Sequence, residues 1–355
     1  MRSVTTRRVH PLRRFRFGTI PVVLFLFLIL FLAGFPEESL ANPKRGTVTV
    51  TVDLNAPPDA KQVRLWIPYP MSDRNQSITD VAVGGNYTSL GVYREGVHGE
   101  GILFVRWDGP TPKRTLTYSF RVERKEAAVK EFPSEELPLS RRELDRYLSP
   151  TRLGPTDGKV AELAARITEG KGTVRAKARA IYDWIVENMR RDPEVKGCGL
   201  GEVNTLLSSR GGKCADIHSV FVALARASGV PAREVFGLRL PPGKEGEITG
   251  WQHCWAEFYL PGAGWVPVDP ADVRKAILTK KISLEEAKPL REYYFGAVDA
   301  NRVEFGTGRD LVLNPPQEGG PLNYFMYPYA EVDGVPLNED LYGQNLGYRI
   351  VYRER

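Results

Sequence analysis

Cys214, His253 and Asp269 are the residues whose types, order and local settings could do chemistry together in this 355-residue chain. Cys214 lies in Gly211-Gly212-Lys213-Cys214-Ala215-Asp216. After it, Ile217, Val220, Phe221, Leu224 and Ala225 form a helical stripe that ends at Gly229, with Pro231 just beyond. A thiol on a first helical turn sits near unpaired N–H groups and the positive end of the helix dipole. That setting lowers its pKa and makes the thiolate available near neutral pH. The competing reading is a small buried core cysteine. The glycine pair in front and the downstream His and Asp favour a nucleophile.

His253 follows in strand-patterned sequence. Its unperturbed pKa of about 6.5 suits taking the thiol proton and returning it to a leaving group. Asp269, on the next predicted strand, would fix the imidazole tautomer and stabilise the imidazolium. His218 is a rival base, because it stands four residues after Cys214 on the same predicted helix. Asp216 reads as a first-turn acidic residue that complements the dipole. Arg226 and Arg233 read as structural ion-pair partners. Trp251 and Trp255 bracket His253, either as walls of a cleft or as buried core. The Cys214 N–H is one natural oxyanion donor; Asn188 and Asn204 are weak candidates for a second. The loop Pro241–Gly250 reads as exposed, with a lid as the alternative.

These residues need elements to hold them. The predicted hairpin His253–Leu260 and Gly264–Val268 must present His253 and Asp269 on one face. A four-residue loop at Pro261–Gly264 puts Asp269 on the wrong side, and a five-residue loop or a bulge corrects it. Strand parity also points Cys254 away from the site. Upstream, residues 46–124 alternate as short strands with Gly, Pro, Asn and Asp between them, the pattern of an antiparallel β-sandwich. His98 lies in a loop of this part. Residues 125–157 are charged and proline-interrupted and read as a connector, with a helical patch around Arg141–Leu148. Residues 158–355 read as one α+β portion with a C-terminal strand extension, its helices marked by Val160, Leu163, Ala164 and Ile167, then by Ala178, Ile181, Tyr182, Ile185 and Val186.

The net charge of +6 is concentrated at the start of the chain, where six Arg stand against two Glu in residues 1–41, so the remainder carries about +2. That balance gives no reason to expect a nucleic-acid partner. The basic start, the apolar run from Ile20 to Phe35 and the small residues Ser39 and Ala41 read as a signal peptide cleaved after Ala41. An uncleaved anchor over residues 20–35 is the alternative, and both readings place the rest of the chain outside the cytoplasm, periplasmic or secreted. Cys198, Cys214 and Cys254 fit one free reactive thiol, with or without a Cys198–Cys254 disulfide. No phosphate loop, CxxC pair or zinc-type spacing is present, so neither a cofactor nor a metal is expected.

Four stretches in order resemble the transglutaminase-like superfamily core, which is related to papain-like thiol proteases. They are Gly211–Asp216, Ala225–Arg233, His253–Leu260 and Gly264–Pro270. The resemblance implies an α+β papain-like core after the sandwich, with Cys214 as nucleophile, His253 as base and Asp269 as orienter. It also implies acyl transfer through a thioester, with a peptide or protein, possible cell-envelope material, as substrate. Hydrolysis, transfer to an amine, and a non-catalytic binding module on the same fold are the functions to be told apart. Replacing Asp269 by Ala is expected to slow thiol chemistry and leave the fold intact.

Overall fold

Alternation of Thr with Val over residues 47–52 produces a strand with one wet and one dry face. In β1 (Lys44–Leu54) Val48, Val50, Val52 and Leu54 are buried, while the residues between them are at least partly exposed. The computed structural model describes residues 43–129, 131–139, 144–337, 341–343 and 346–354, all within a compact unit spanning Leu40–Arg355. The signal-peptide or anchor reading of residues 1–41 lies outside the described residues, as do residues 141–143 of the helical patch expected near Arg141, whose remainder holds a short helix, Asp145–Tyr147. No helix among the described residues is long and apolar enough to cross a membrane.

The strands β2 (Gln62–Pro68), β3 (Gln76–Gly85), β4 (Ser89–Arg94), β5 (Gly101–Asp108) and β6 (Arg114–Arg124) complete the N-terminal part. Later come β7 (Ala232–Arg239), β8 (Gln252–Leu260), β9 (Gly264–Val268), β10 (Arg302–Gly306), β11 (Tyr329–Val332) and β12 (Tyr348–Glu354). The helices are α1 (Gly158–Ile167), α2 (Val174–Asn188), α3 (Val203–Ser209), α4 (Cys214–Ala227), α5 (Pro270–Lys280) and α6 (Lys288–Tyr293).

The molecule is α+β. Two five-stranded antiparallel sheets form the sandwich. One runs from residues 245–247 through β12, β1, β6 and β3; the other from residues 335–336 through β11, β2, β5 and β4. Their inner faces share a core that includes Val50, Leu65, Val105, Tyr118 and Ile350. The sequence reading kept the C-terminal strands with residues 158–355, and here it needs correction. β12 pairs antiparallel with β1, Val50 opposite Ile350, and β11 pairs with β2. The physical reason is edge protection. Without β12 and β11, β1 and β2 would each expose an unpaired row of backbone groups over a buried face.

A third sheet, in the order β9-β8-β7-β10, carries the site. α4 lies against β8 and β7, with α1, α2, α3 and α5 also packed on it, so that every residue from Cys214 to Ala225 is buried. This explains why α4 is apolar nearly all round. The connector is tied in: Ala127–Ala128 pair with Ala297–Val298, and the Glu136 carboxylate accepts the Val174 and Arg175 N–H groups at the start of α2.

Candidate active site

The first turn of α4 is built by its own carboxylate. The Lys213 N–H donates to Asp216 at 3.0 Å, and the Gly201 N–H donates to the other oxygen of Asp216 at 2.8 Å. Asp216 therefore clamps two loops to the helix start, the structural role its first-turn position suggested. Gly199, at φ +88°, packs so tightly there that a Cβ would stand 1.9 Å from Asp216 Oδ2. The Ala215 N–H donates to the Cys198 carbonyl at 2.9 Å, which brings a second cysteine beside Cys214.

All three cysteines are free and buried, so the Cys198–Cys254 disulfide is not formed. Cys198, Cys254 and His253 are the side chains that act on the Cys214 thiol. Hydrogen bonds from the two neighbouring thiols, followed by the hydrogen bond and charge of His253, hold the Cys214 thiol well below its ordinary range against the opposing effect of burial. Cys198 is pushed well up by its bond to Cys214 and by burial, and Cys254 well up by burial and then Cys214.

His253 Nε2 lies 2.9 Å from Asp269 Oδ2, which leaves Nδ1 for Cys214. Burial and Arg239 lower the His253 pKa, but Asp272 and Asp269 outweigh them and the net direction is upward. A depressed thiol and a raised imidazole together favour a thiolate–imidazolium pair. Asp269 is fully buried and accepts three hydrogen bonds, with His218 close by. Oδ2 takes His253 and Arg302 Nη1 at 2.8 Å; Oδ1 caps α5 through the Asp272 N–H at 2.8 Å and lies 3.2 Å from His218 Nε2. Burial alone would raise this carboxyl, yet the charge and hydrogen bonds of His253 and His218 hold it well below the usual range.

The hairpin solves the register differently from expectation. Leu260 pairs with Gly264 and Ala256 with Val268, across a three-residue loop, Pro261–Ala263. Shortening the loop by one changes parity as lengthening it does, so the position after Val268 falls on the His253 side. Gly262 at φ +90° and Gly264 at φ +85° supply the left-handed turn residues. Cys254 also departs from the sequence reading. It faces away from His253 along the strand, but α4 covers that face, so its sulfur lies 3.5 Å from His218 Nδ1 and its thiol acts on Cys214. Both nitrogens of His218 thus face other groups, Cys254 and Asp269, and it stands behind the site.

Of the remaining expectations, Arg233 pairs with Glu257 at 2.8 Å, whereas Arg226 donates to the Ala232 and Ser149 carbonyls at 3.0 and 2.7 Å. Trp255 is core and Trp251 is exposed. Asn188 donates to the Trp184 carbonyl of its own helix, and Asn204 is exposed. The 241–250 loop is tethered: residues 245–247 pair with β12, and Ile248 is buried. Sequence reasoning missed Arg302, a fully buried guanidinium that also bonds Asp299 at 2.6 Å and Asp272 at 3.2 Å. It also missed Gln252, whose buried Nε2 has no hydrogen-bond partner among the described residues. An isolated Arg in a strand carries no pattern that marks it. Gln252 could have been noticed as the neighbour of His253.

A cleft of about 400 Å³ opens here. It is lined by Gly197, Lys213 and Gln252, the residues preceding Cys198, Cys214 and His253, together with Thr249 and Tyr327. His253, Asp269 and Asp272 bring ligand-type atoms within 4.8 Å of one another. Arg302 holds both carboxylates and Arg239 holds Asp272, so a cation would meet two fixed guanidinium charges.

The family profile described as the transglutaminase-like superfamily matches residues 161–270. An uncharacterised protein of Haemophilus influenzae is 39% identical over 319 residues, covering 82% of this chain and 86% of that relative. The chain belongs to the transglutaminase-like superfamily. The solved structure of a candidate cysteine protease from Cytophaga hutchinsonii matches with a TM-score of 0.51 at 17% identity, covering 88% of this chain and 99% of that one. It has the same fold. The Bacillus subtilis protein YebA is 28% identical over 152 residues, 39% of this chain and 20% of YebA.

Proposed function

We propose that this protein is an exported thiol enzyme of acyl transfer that hydrolyses a peptide or amide bond in peptide, protein or cell-envelope material. The observation that carries the reading is His253, whose Nε2 lies 2.9 Å from Asp269 Oδ2 and whose charge acts on Cys214 at the first turn of α4. In this mechanism the Cys214 thiolate attacks the amide carbonyl, with its backbone N–H at the helix start facing the developing oxyanion. The His253 imidazolium gives its proton to the leaving amine, and a thioester remains on Cys214. His253, now neutral, takes a proton from water as the hydroxide attacks the thioester, and the acid product leaves with Cys214 restored as thiolate. Asp269 keeps Nε2 protonated throughout, so that Nδ1 does the transfer. Water is favoured as acceptor because it is abundant outside the cytoplasm, where the N-terminal segment would place these residues.

The test is acid-quenched mass spectrometry of the full chain incubated with a mixed pool of N-acyl peptide amides. An acyl adduct on the Cys214 peptide, absent in Cys214→Ala, is expected. Product formation that survives Cys214→Ala would overturn the reading, and an adduct resolved by added amines but not by water would replace hydrolysis with amine transfer.

A further inference from the structure

Cys198 has no part in the mechanism above, yet it is the thiol built closest into the nucleophile's surroundings. The Ala215 N–H···O=C Cys198 bond of 2.9 Å ties its backbone to the residue after Cys214, and the two thiols are close enough to shift each other's pKa in opposite directions. Its sulfur also donates to the Gln252 carbonyl at 3.2 Å. The loop that carries it has glycines at 197, 199 and 201, all at positive φ, so its backbone turns in ways closed to other residues. Cys254 touches Cys214 as well, but it is fixed in the β7–β8 ladder opposite Phe236. The cleft is lined by Gly197 and Lys213, the chain neighbours of Cys198 and Cys214, so it opens next to the buried pair.

We propose that Cys198 is a resolving thiol that closes reversibly on oxidised Cys214, giving the enzyme a disulfide-locked off-state under peroxide. The inference rests on Cys214 being the reactive thiolate. In the first step Cys214 sulfur attacks one oxygen of a peroxide; the O–O bond breaks, and the departing hydroxide leaves as water once protonated. Cys214 becomes a sulfenic acid, oxidised by two electrons, and the peroxide is reduced by two. In the second step Cys198 sulfur attacks Cys214 sulfur. The S–O bond breaks, the S–S bond forms, and the hydroxide leaves as water with the Cys198 proton. A dithiol reductant reverses the lock by exchange. Cys198 is thereby a safeguard against over-oxidation, since a sulfenic acid left open proceeds to the irreversible sulfinic acid.

The experiment treats the full chain with one equivalent of hydrogen peroxide, alkylates it, and maps the cysteines by non-reducing peptide mass spectrometry. The expected result is a Cys198–Cys214 linked peptide, loss of iodoacetamide labelling at Cys214, and full recovery of labelling after dithiothreitol. In Cys198→Ser given a further excess of peroxide, at least two equivalents in all, the loss should persist after dithiothreitol, with sulfinic acid on Cys214, while Cys254→Ser should still form the Cys198–Cys214 link. A Cys214–Cys254 link, or sulfinic acid on Cys214 beside a still alkylatable Cys198 in the unaltered chain, overturns the resolving role alone. A Cys214 inert to both peroxide and iodoacetamide overturns the nucleophile reading and this inference with it.

Discussion

Replacing Asp269 tests the site more sharply than replacing the thiol, because this one carboxylate serves the chemistry and the fold together. The sequence reading expects Asp269→Ala to leave the fold intact; the hydrogen-bond network adds that the fold is kept at a marked loss of stability. Asp269 is buried, caps α5 and faces Arg302, His253 and His218. Breaking a buried ion pair by removing one partner costs about 3–5 kcal/mol. Arg302 retains Asp299 and Asp272, and His253 can shed its proton, so the lower end, about 3 kcal/mol, applies here. Loss of the cap adds about 1 kcal/mol. Asp269→Ala should therefore lose about 4 kcal/mol, and Asp269→Asn, whose side-chain carbonyl keeps the cap, about 3 kcal/mol. Against a total stability of about 5–15 kcal/mol, both variants fold at neutral pH but unfold at clearly lower urea.

The pH dependence gives a second, independent readout. Asp269 is depressed in the folded protein, so its contribution is present above the unfolded carboxyl pKa of about 3.9 and is lost as pH falls through the lower folded value. His253 is raised, so its contribution is present below about 6.5 and is lost as pH rises through the higher folded value. Both are complete only between roughly pH 4 and 6.5, and the stability difference between the unaltered chain and Asp269→Asn should be largest in that window. The same substitution lowers the His253 pKa and weakens its support of the thiolate, so the acid limb of Cys214 alkylation should move to higher pH. Urea unfolding curves from pH 3 to 9, read by tryptophan fluorescence, make the measurement. Equal urea midpoints for Asp269→Ala and the unaltered chain would refute the carboxylate-hub argument, and equal midpoints for the Ala and Asn variants would refute the cap.

Two further outcomes follow from geometry. Gly199→Ala places a Cβ against Asp216 at a positive φ, so it should loosen the first turn of α4 by about 1–3 kcal/mol and slow Cys214 alkylation. Gly170→Ala, also at positive φ but with open space around its Cβ, should leave alkylation unchanged. Truncation before β12 removes the buried Ile350 and Tyr352 and bares the edge of β1, so the shortened chain should be aggregated in size-exclusion chromatography; a monodisperse truncated protein would contradict the pairing.

What the sequence made legible is what local chemistry controls. The stripe after Cys214, the glycine turn before it and the alternation of β1 each follow from neighbours within a few positions, and each element stands where those patterns put it. The order Cys214, His253, Asp269 was legible for the same reason, because each residue lies at an element end with its own signature. Partner choice was not legible. The alternation of residues 348–352 says strand, but nothing local says that its neighbour is β1, some 300 positions earlier. The loop length at Pro261–Ala263 escaped because odd loops of three and five residues give the same parity. Cys254 escaped because parity along a strand says which face a residue takes, and not which element covers that face.

That non-local pairing bears on the chemistry. β12 holds residues 245–247 in register, the Ile248 N–H donates to the Ile350 carbonyl at 2.9 Å, and Thr249 and Gly250 then line the cleft immediately before Gln252 and His253. The strand that closes the sandwich edge therefore also fixes the segment leading to the proposed base. A loop of composition Pro-Pro-Gly-Lys-Glu-Gly-Glu would, left free, let the start of β8 fray and move His253 relative to Cys214. Pinning it to β12 removes that freedom at the end of the strand where a displacement of about 1 Å costs the most in rate. The sandwich, which holds no constellation of reactive groups among the described residues, thus acts on the site as a frame: its last strand sets the position of the histidine, while Asp216 and the glycine loops set that of the thiol.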